Sequence, residues 1–70
     1  MVPTISLDVP RMSSERCRVT VSDALMGVDP LARCAFDVSN ARVALESRFP
    51  PSDFIEALEE VGYSSFVVPS

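Results

Sequence analysis

The chemistry this chain can offer is concentrated in Met12-Ser13-Ser14-Glu15-Arg16-Cys17. Cys17 brings a soft sulfur donor, and a thiolate is both a nucleophile and a metal ligand. Arg11, Arg16 and Arg18 surround it in the chain. If Cys17 opens a helix, the positive helix end and these arginines favour its ionised form. A reactive, partly exposed thiol is therefore expected. Ser14 and Cys17 do not make a nucleophile–base pair. A redox role would be that of a single sensor thiol, because no resolving cysteine stands nearby as in a Cys-x-x-Cys site. Cys34, the other cysteine, lies among alternating apolar residues and reads as a small core residue.

Absences narrow the chemistry further. The chain has no histidine, and every basic residue is arginine. That removes the commonest metal ligand and general base, and also Schiff-base chemistry and a phosphate-loop lysine. With no paired inward carboxylates and no glycine-rich phosphate loop, no enzymatic activity is expected. A net charge of -4 gives no basic footprint for nucleic acid. No apolar run approaches the roughly 20 residues that span a bilayer. Met1-Val2-Pro3-Thr4 has neither a basic leader region nor an apolar one, so no signal peptide and a cytoplasmic location are expected.

The 70 residues suit one small domain, 1–70, and periodicity supplies its elements. Ile5, Leu7 and Val9 alternate with Thr4, Ser6 and Asp8, the mark of a half-buried strand that Pro10 ends. Ser13 or Ser14 can cap a helix whose apolar face is Cys17, Val21, Ala24 and Leu25, with Gly27 placed to stop it. After the Asp29-Pro30 turn, Ala32, Cys34, Phe36 and Val38 alternate in a second strand. Ser39-Asn40 is a hairpin turn without the favoured glycine. Ala41, Val43 and Leu45 belong to a third strand. Pro50-Pro51 breaks the chain, and Ser52 caps a second helix with Asp53 at its positive end. Phe54, Ile55, Leu58 and Val61 form its apolar stripe, and Gly62 ends it. Phe66 to Val68 closes as a fourth strand. The order β-α-β-β-α-β predicts an α+β ferredoxin-like sandwich, a four-stranded antiparallel sheet with two helices on one face.

Beyond topology, the chain resembles the heavy-metal-associated domain of copper chaperones and of the N-terminal extensions of metal-pumping ATPases, chiefly its bacterial members. The resemblance runs from Thr4 to about Val68. It rests on Met12, on Cys17 followed by Val21 and Ala24-Leu25, on Gly27-Val28, and on Ala57-Leu58-Glu59-Glu60-Val61-Gly62-Tyr63. The last segment is similar to the family's Ala-Ile-Glu-x-Ala-Gly-Tyr signature. In the family, two cysteines of a Met-x-Cys-x-x-Cys loop bind one soft ion, usually Cu(I). The resemblance implies that Cys17 is the second ligand, Met12 the methionine packed beneath the loop and Tyr63 the tyrosine near the metal. Ser14 falls on the first ligand position and departs from the pattern. The stretch from Gly27 to Arg42 is slightly longer than usual.

A neutral hydroxyl is a hard, weak donor for Cu(I). One copy of the loop therefore cannot complete a two-sulfur site, and a residual function needs a sulfur from elsewhere. The sources are a chaperone or metal-ATPase domain of the same family, a second copy bridged by metal, or a small thiol such as glutathione. The leading expectation is a degenerate one-cysteine domain that binds copper or another soft metal weakly alone, or shares it with a partner thiol. The alternative is a metal-free protein-interaction module on the same fold. In either case, a basic loop beside an acidic helix (Glu56, Glu59, Glu60) would steer encounters with a partner.

Overall fold

The computed structural model describes residues 4–68; the first three residues, read above for a leader, lie outside that range with the last two. The elements run β1 (Thr4–Asp8), α1 (Glu15–Val28), β2 (Arg33–Asp37), β3 (Arg42–Glu46), α2 (Pro51–Glu60) and β4 (Phe66–Val67). All four strands pair antiparallel in one sheet, in the order β2-β3-β1-β4. The expected βαββαβ ferredoxin-like architecture is the one observed.

Register sorts the side chains. Leu7 pairs with Val43 and Ile5 with Leu45, while Cys34 and Phe36 of β2 pair with the same two β3 residues. Paired residues share a face, so the apolar set of all three strands points one way. Against that face pack Val21 and Leu25 of α1 and Phe54 and Leu58 of α2, in one cluster with Leu7, Val9, Met12, Val43 and Leu45. Both helices thus cover one face. The other face carries Arg42 between Asp8 and Asp37, and Glu46 between Thr4 and Arg33. Opposite charges set across strands suit a solvated surface.

Several expected boundaries move, each for a local reason. α1 does not stop at Gly27. The Asp29 N–H still donates to the Leu25 carbonyl at 3.1 Å. Pro30 then blocks continuation, and the Asp29 carboxylate accepts from the Leu31 N–H and the Ser47 hydroxyl. Ser52 does not cap α2: Pro50 is the cap and Pro51 the first helical residue. Proline is pre-set for that position because its missing N–H would have no helical partner. Ala41 belongs to the turn, with a φ of 53°. The Asp37 carboxylate holds this turn by accepting from the Asn40 side chain and the Ser39 hydroxyl, and the same bonds, Asn40's first, lower its pKa. Val61 is 45% exposed, because α2 ends before its stripe is complete. β4 ends at Val67, although the Val68 N–H still bonds the Ser6 carbonyl at 2.8 Å.

Candidate metal centre

Two chain reversals build the site. After β1, the Val9 N–H donates to the Ala41 carbonyl at 2.7 Å, and the Met12 N–H reaches back to the Val9 carbonyl at 2.9 Å. This turn drives Met12 inward, where it is fully buried with Val9. The chain then surfaces through Ser13 and Ser14, and α1 begins. Ser14 is the N-cap, with an extended backbone. Its hydroxyl accepts from the Cys17 N–H, satisfying one of the open donors of the first turn.

The second reversal ends α2. The Gly62 N–H donates to the Glu59 carbonyl at 3.0 Å and the Tyr63 N–H to the Leu58 carbonyl at 2.8 Å. These two bonds are the Schellman pair, which needs a left-handed residue next to the cap. Gly62, at a φ of 88°, supplies it without the steric cost of a side chain. The chain is thereby turned so that Tyr63 faces Cys17. Arg11 ties the two reversals together, its Nη1 donating to the Gly62 carbonyl at 3.4 Å.

Cys17 is half-buried, and its Sγ receives hydrogen bonds from two hydroxyls. Ser14 donates at 3.4 Å, and Tyr63 is the second donor. The Ser14 bond, the Tyr63 bond and backbone bonds from the loop pull the Cys17 pKa down to about 6. The Tyr63 pKa is raised for the matching reason, since its proton is held by the thiolate. The expected activation is present, but hydroxyls drive it rather than the flanking arginines. Arg18 is turned away, paired with Glu15 at 2.7 Å and lying over the Phe36 ring. Cys34 behaves oppositely. Burial, aided by the Asp29 charge, raises its pKa, and it packs at the edge of the core.

The titration has a direct readout. Alkylation of Cys17 by iodoacetamide should rise with pH about a midpoint near 6, against an ordinary thiol value of 9.0. In Ser14→Ala the midpoint should move up. The folded state favours the thiolate, so its contribution to stability is full above the ordinary pKa and is lost as pH falls through about 6.

Of the residues expected at the site, Cys17, Ser14 and Tyr63 come together around one sulfur, and Met12 lies in the core beneath the loop. Ser14 stands where a first ligand was expected, and its hydroxyl holds the Cys17 sulfur. Its i,i+3 spacing from Cys17 carried that signal, since a cap side chain reaches the third helical residue. The Arg11 contact to Gly62 had no sequence signal, because it joins residues 51 positions apart. Arg11, Cys17, Val61, Gly62 and Tyr63 line an open depression of about 360 Å³. Among the described residues, no group of three or more histidine, cysteine, aspartate or glutamate side chains gathers to hold a metal ion.

No family model and no curated protein matches the chain by sequence. Solved structures do match it. The trimeric form of the copper chaperone Atx1 from Synechocystis PCC6803 is 26% identical, with a TM-score of 0.84 over 89% of this chain and 98% of its own. A gold binding protein aligns at 19% identity and a TM-score of 0.87, over 91% of this chain and 98% of its own. Oxidized MerP from Ralstonia metallidurans CH34 aligns at 22% identity and a TM-score of 0.85, over 99% of this chain and all of its own. The chain thus shares its ferredoxin-like fold with these structures over most of its length.

Proposed function

We propose that the chain is a soft-metal binding and transfer domain with one resident sulfur. Cys17 holds Cu(I), or a comparable soft ion, together with a thiol from a partner. The observation that carries this reading is the setting of Cys17: its sulfur accepts from the Ser14 hydroxyl at 3.4 Å and lines a surface depression with Tyr63, which favours the thiolate. A thiolate prepared in this way suits a soft cation, and no proton need leave it at neutral pH. The similarity to a copper chaperone and a gold binding protein supports the same choice of ion. Residues 1–70 would act as a single domain of the heavy-metal-associated kind, with no enzymatic step.

Transfer is ligand exchange. The Cys17 thiolate attacks a metal ion held by a partner's sulfurs, an intermediate with two or three sulfurs spans the interface, and the partner's bonds then break. Met12 supports the loop from below and Tyr63 from the side. Arg18 is occupied by Glu15, so the charge that greets a partner is that of Arg11 and Arg16. An acidic rim fits it, as on a chaperone or metal-ATPase domain of similar fold. A second copy bridged by the ion is the other macromolecular donor. Among the described residues no helix is long and apolar enough to cross a membrane. We place the domain in the bacterial cytoplasm, where thiols stay reduced.

The test is Cu(I) titration against a chromophoric chelator, with a reducing thiol present. Wild type should take up copper and Cys17→Ser should not. Equal uptake by both would remove Cys17 from the function and favour the metal-free interaction module.

A further inference from the structure

We propose that the depression beside Cys17 is a subsite for a small thiol that carries a carboxylate. Its sulfur completes the metal's coordination opposite Cys17, and its carboxylate pairs with Arg11. This rests on the metal-binding reading above and names the co-ligand.

The metal's chemistry demands a second sulfur. Ser14 offers oxygen where a soft ion wants sulfur, and Cys34 is packed against the core. The surface beside Cys17 has room for a small molecule. A depression of about 360 Å³ falls in the range of small-molecule sites, roughly 300–1,000 Å³. The depression also carries a free positive charge. Arg11 spends one nitrogen on a long 3.4 Å bond to a carbonyl, and among the described residues it has no acidic partner. The rest of its fork is available for a carboxylate. No acidic side chain lines the depression, so the one anionic group an incoming carboxylate meets among its lining residues is the Cys17 thiolate, which the metal would neutralise.

The same charges disfavour a second copy as the donor. Joined through Cys17, two copies would bring Arg11 and Arg16 of each chain together, and like charges set face to face cost affinity.

The exchange conserves atoms and electrons. The Cys17 thiolate displaces one thiolate from a linear Cu(I) bis(thiolate) complex. One copper–sulfur bond forms and one breaks, copper stays Cu(I), and the released thiolate takes a proton from water.

The experiment supplies Cu(I) to the full chain in equal excess of 3-mercaptopropionate, 2-mercaptoethanol or cysteamine: anionic, neutral and cationic versions of one thiol. Apparent affinity is read by chelator competition and composition by native mass spectrometry, for wild type, Arg11→Gln and Cys17→Ser. Arg11 is exposed and its bond to the Gly62 carbonyl is long, at 3.4 Å, so its variant should fold, and matching circular dichroism of variant and wild type checks that before affinity is read. With mercaptopropionate, wild type should bind copper about fivefold more tightly than Arg11→Gln, the scale of an exposed ion pair. With mercaptoethanol the two should agree, and with cysteamine the order should not favour wild type. The mass should be chain plus one copper plus one mercaptopropionate. Cys17-dependent uptake that is indifferent to thiol charge and to Arg11 would overturn the subsite and leave the metal reading standing. So would copper bridging two chains without small thiol. No Cys17-dependent uptake in any thiol would overturn both.

Discussion

Ser14→Cys should raise the Cu(I) affinity of the isolated chain by at least about a hundredfold, measured by chelator competition without added thiol. Loss of an outer-shell partner of a metal ligand already costs about 10–100-fold, and this substitution adds a ligand sulfur outright. The geometry is prepared for it. The Ser14 hydroxyl lies 3.4 Å from Cys17 Sγ, and two metal–sulfur bonds of about 2.3 Å each can span more than that. A small rotation would therefore let one ion sit between two thiolates. The gain has a structural cost, because Ser14 is also the N-cap of α1. A thiol accepts the Cys17 N–H poorly, so the metal-free variant should lose about 1 kcal/mol of stability.

Ser14→Ala separates the two roles of that serine. It removes the cap and the hydrogen bond to sulfur but adds no ligand. Its Cys17 pKa should rise, because the Ser14 bond is the largest cause of the present value of about 6. Metal must then displace a proton at neutral pH, and affinity should fall. Opposite shifts in the cysteine and alanine variants would tie the effect to sulfur. An unchanged affinity in Ser14→Cys would show that the wild-type loop is not limited by its missing donor.

Which features were legible in the sequence follows from the range of the interactions behind them. The sheet was legible because register is written in alternation: Ile5-Leu7 and Val43-Leu45 can bury together only when paired as observed. Gly62 was legible because a left-handed helix end has few alternatives to glycine. Gly27 misled for the complementary reason. Glycine permits a stop without enforcing one, and α1 ran on to the Asp29-Pro30 boundary. Ser52 misled because the proline pair also starts a helix. Arg11 at the Gly62 carbonyl could not be read at all, since it depends on how two distant reversals meet. For the site, spacing gave Ser14 and Cys17 as neighbours but left their chemistry open. Read as a lost ligand, Ser14 subtracts from the site; in the folded chain its hydroxyl donates to the Cys17 sulfur at 3.4 Å and favours the thiolate.

Met12 carries the other large expected effect, and its burial decides the form. A thioether in this loop could bind metal or fill space. The side chain is fully buried in the cluster of Leu7, Val21, Leu25, Phe54 and Leu58, whereas Cys17 opens onto the surface depression. Space-filling is therefore the role to test. Met12→Leu keeps the volume and should cost less than about 1.5 kcal/mol, with Cu(I) affinity unchanged. Met12→Ala removes buried methylenes and sulfur and should cost about 2–5 kcal/mol. A chain of 70 residues has only about 4–10 kcal/mol in total, so this variant should be partly unfolded at 37 °C by circular dichroism. Its metal affinity should fall with its fold, because the turn that leads into Ser14 is anchored by Met12. Loss of copper binding in a fully folded Met12→Leu would reverse the assignment and make the thioether a ligand. Retained binding in that variant, with collapse of Met12→Ala, would establish that the loop's one resident donor is Cys17 and that the methionine works from beneath it.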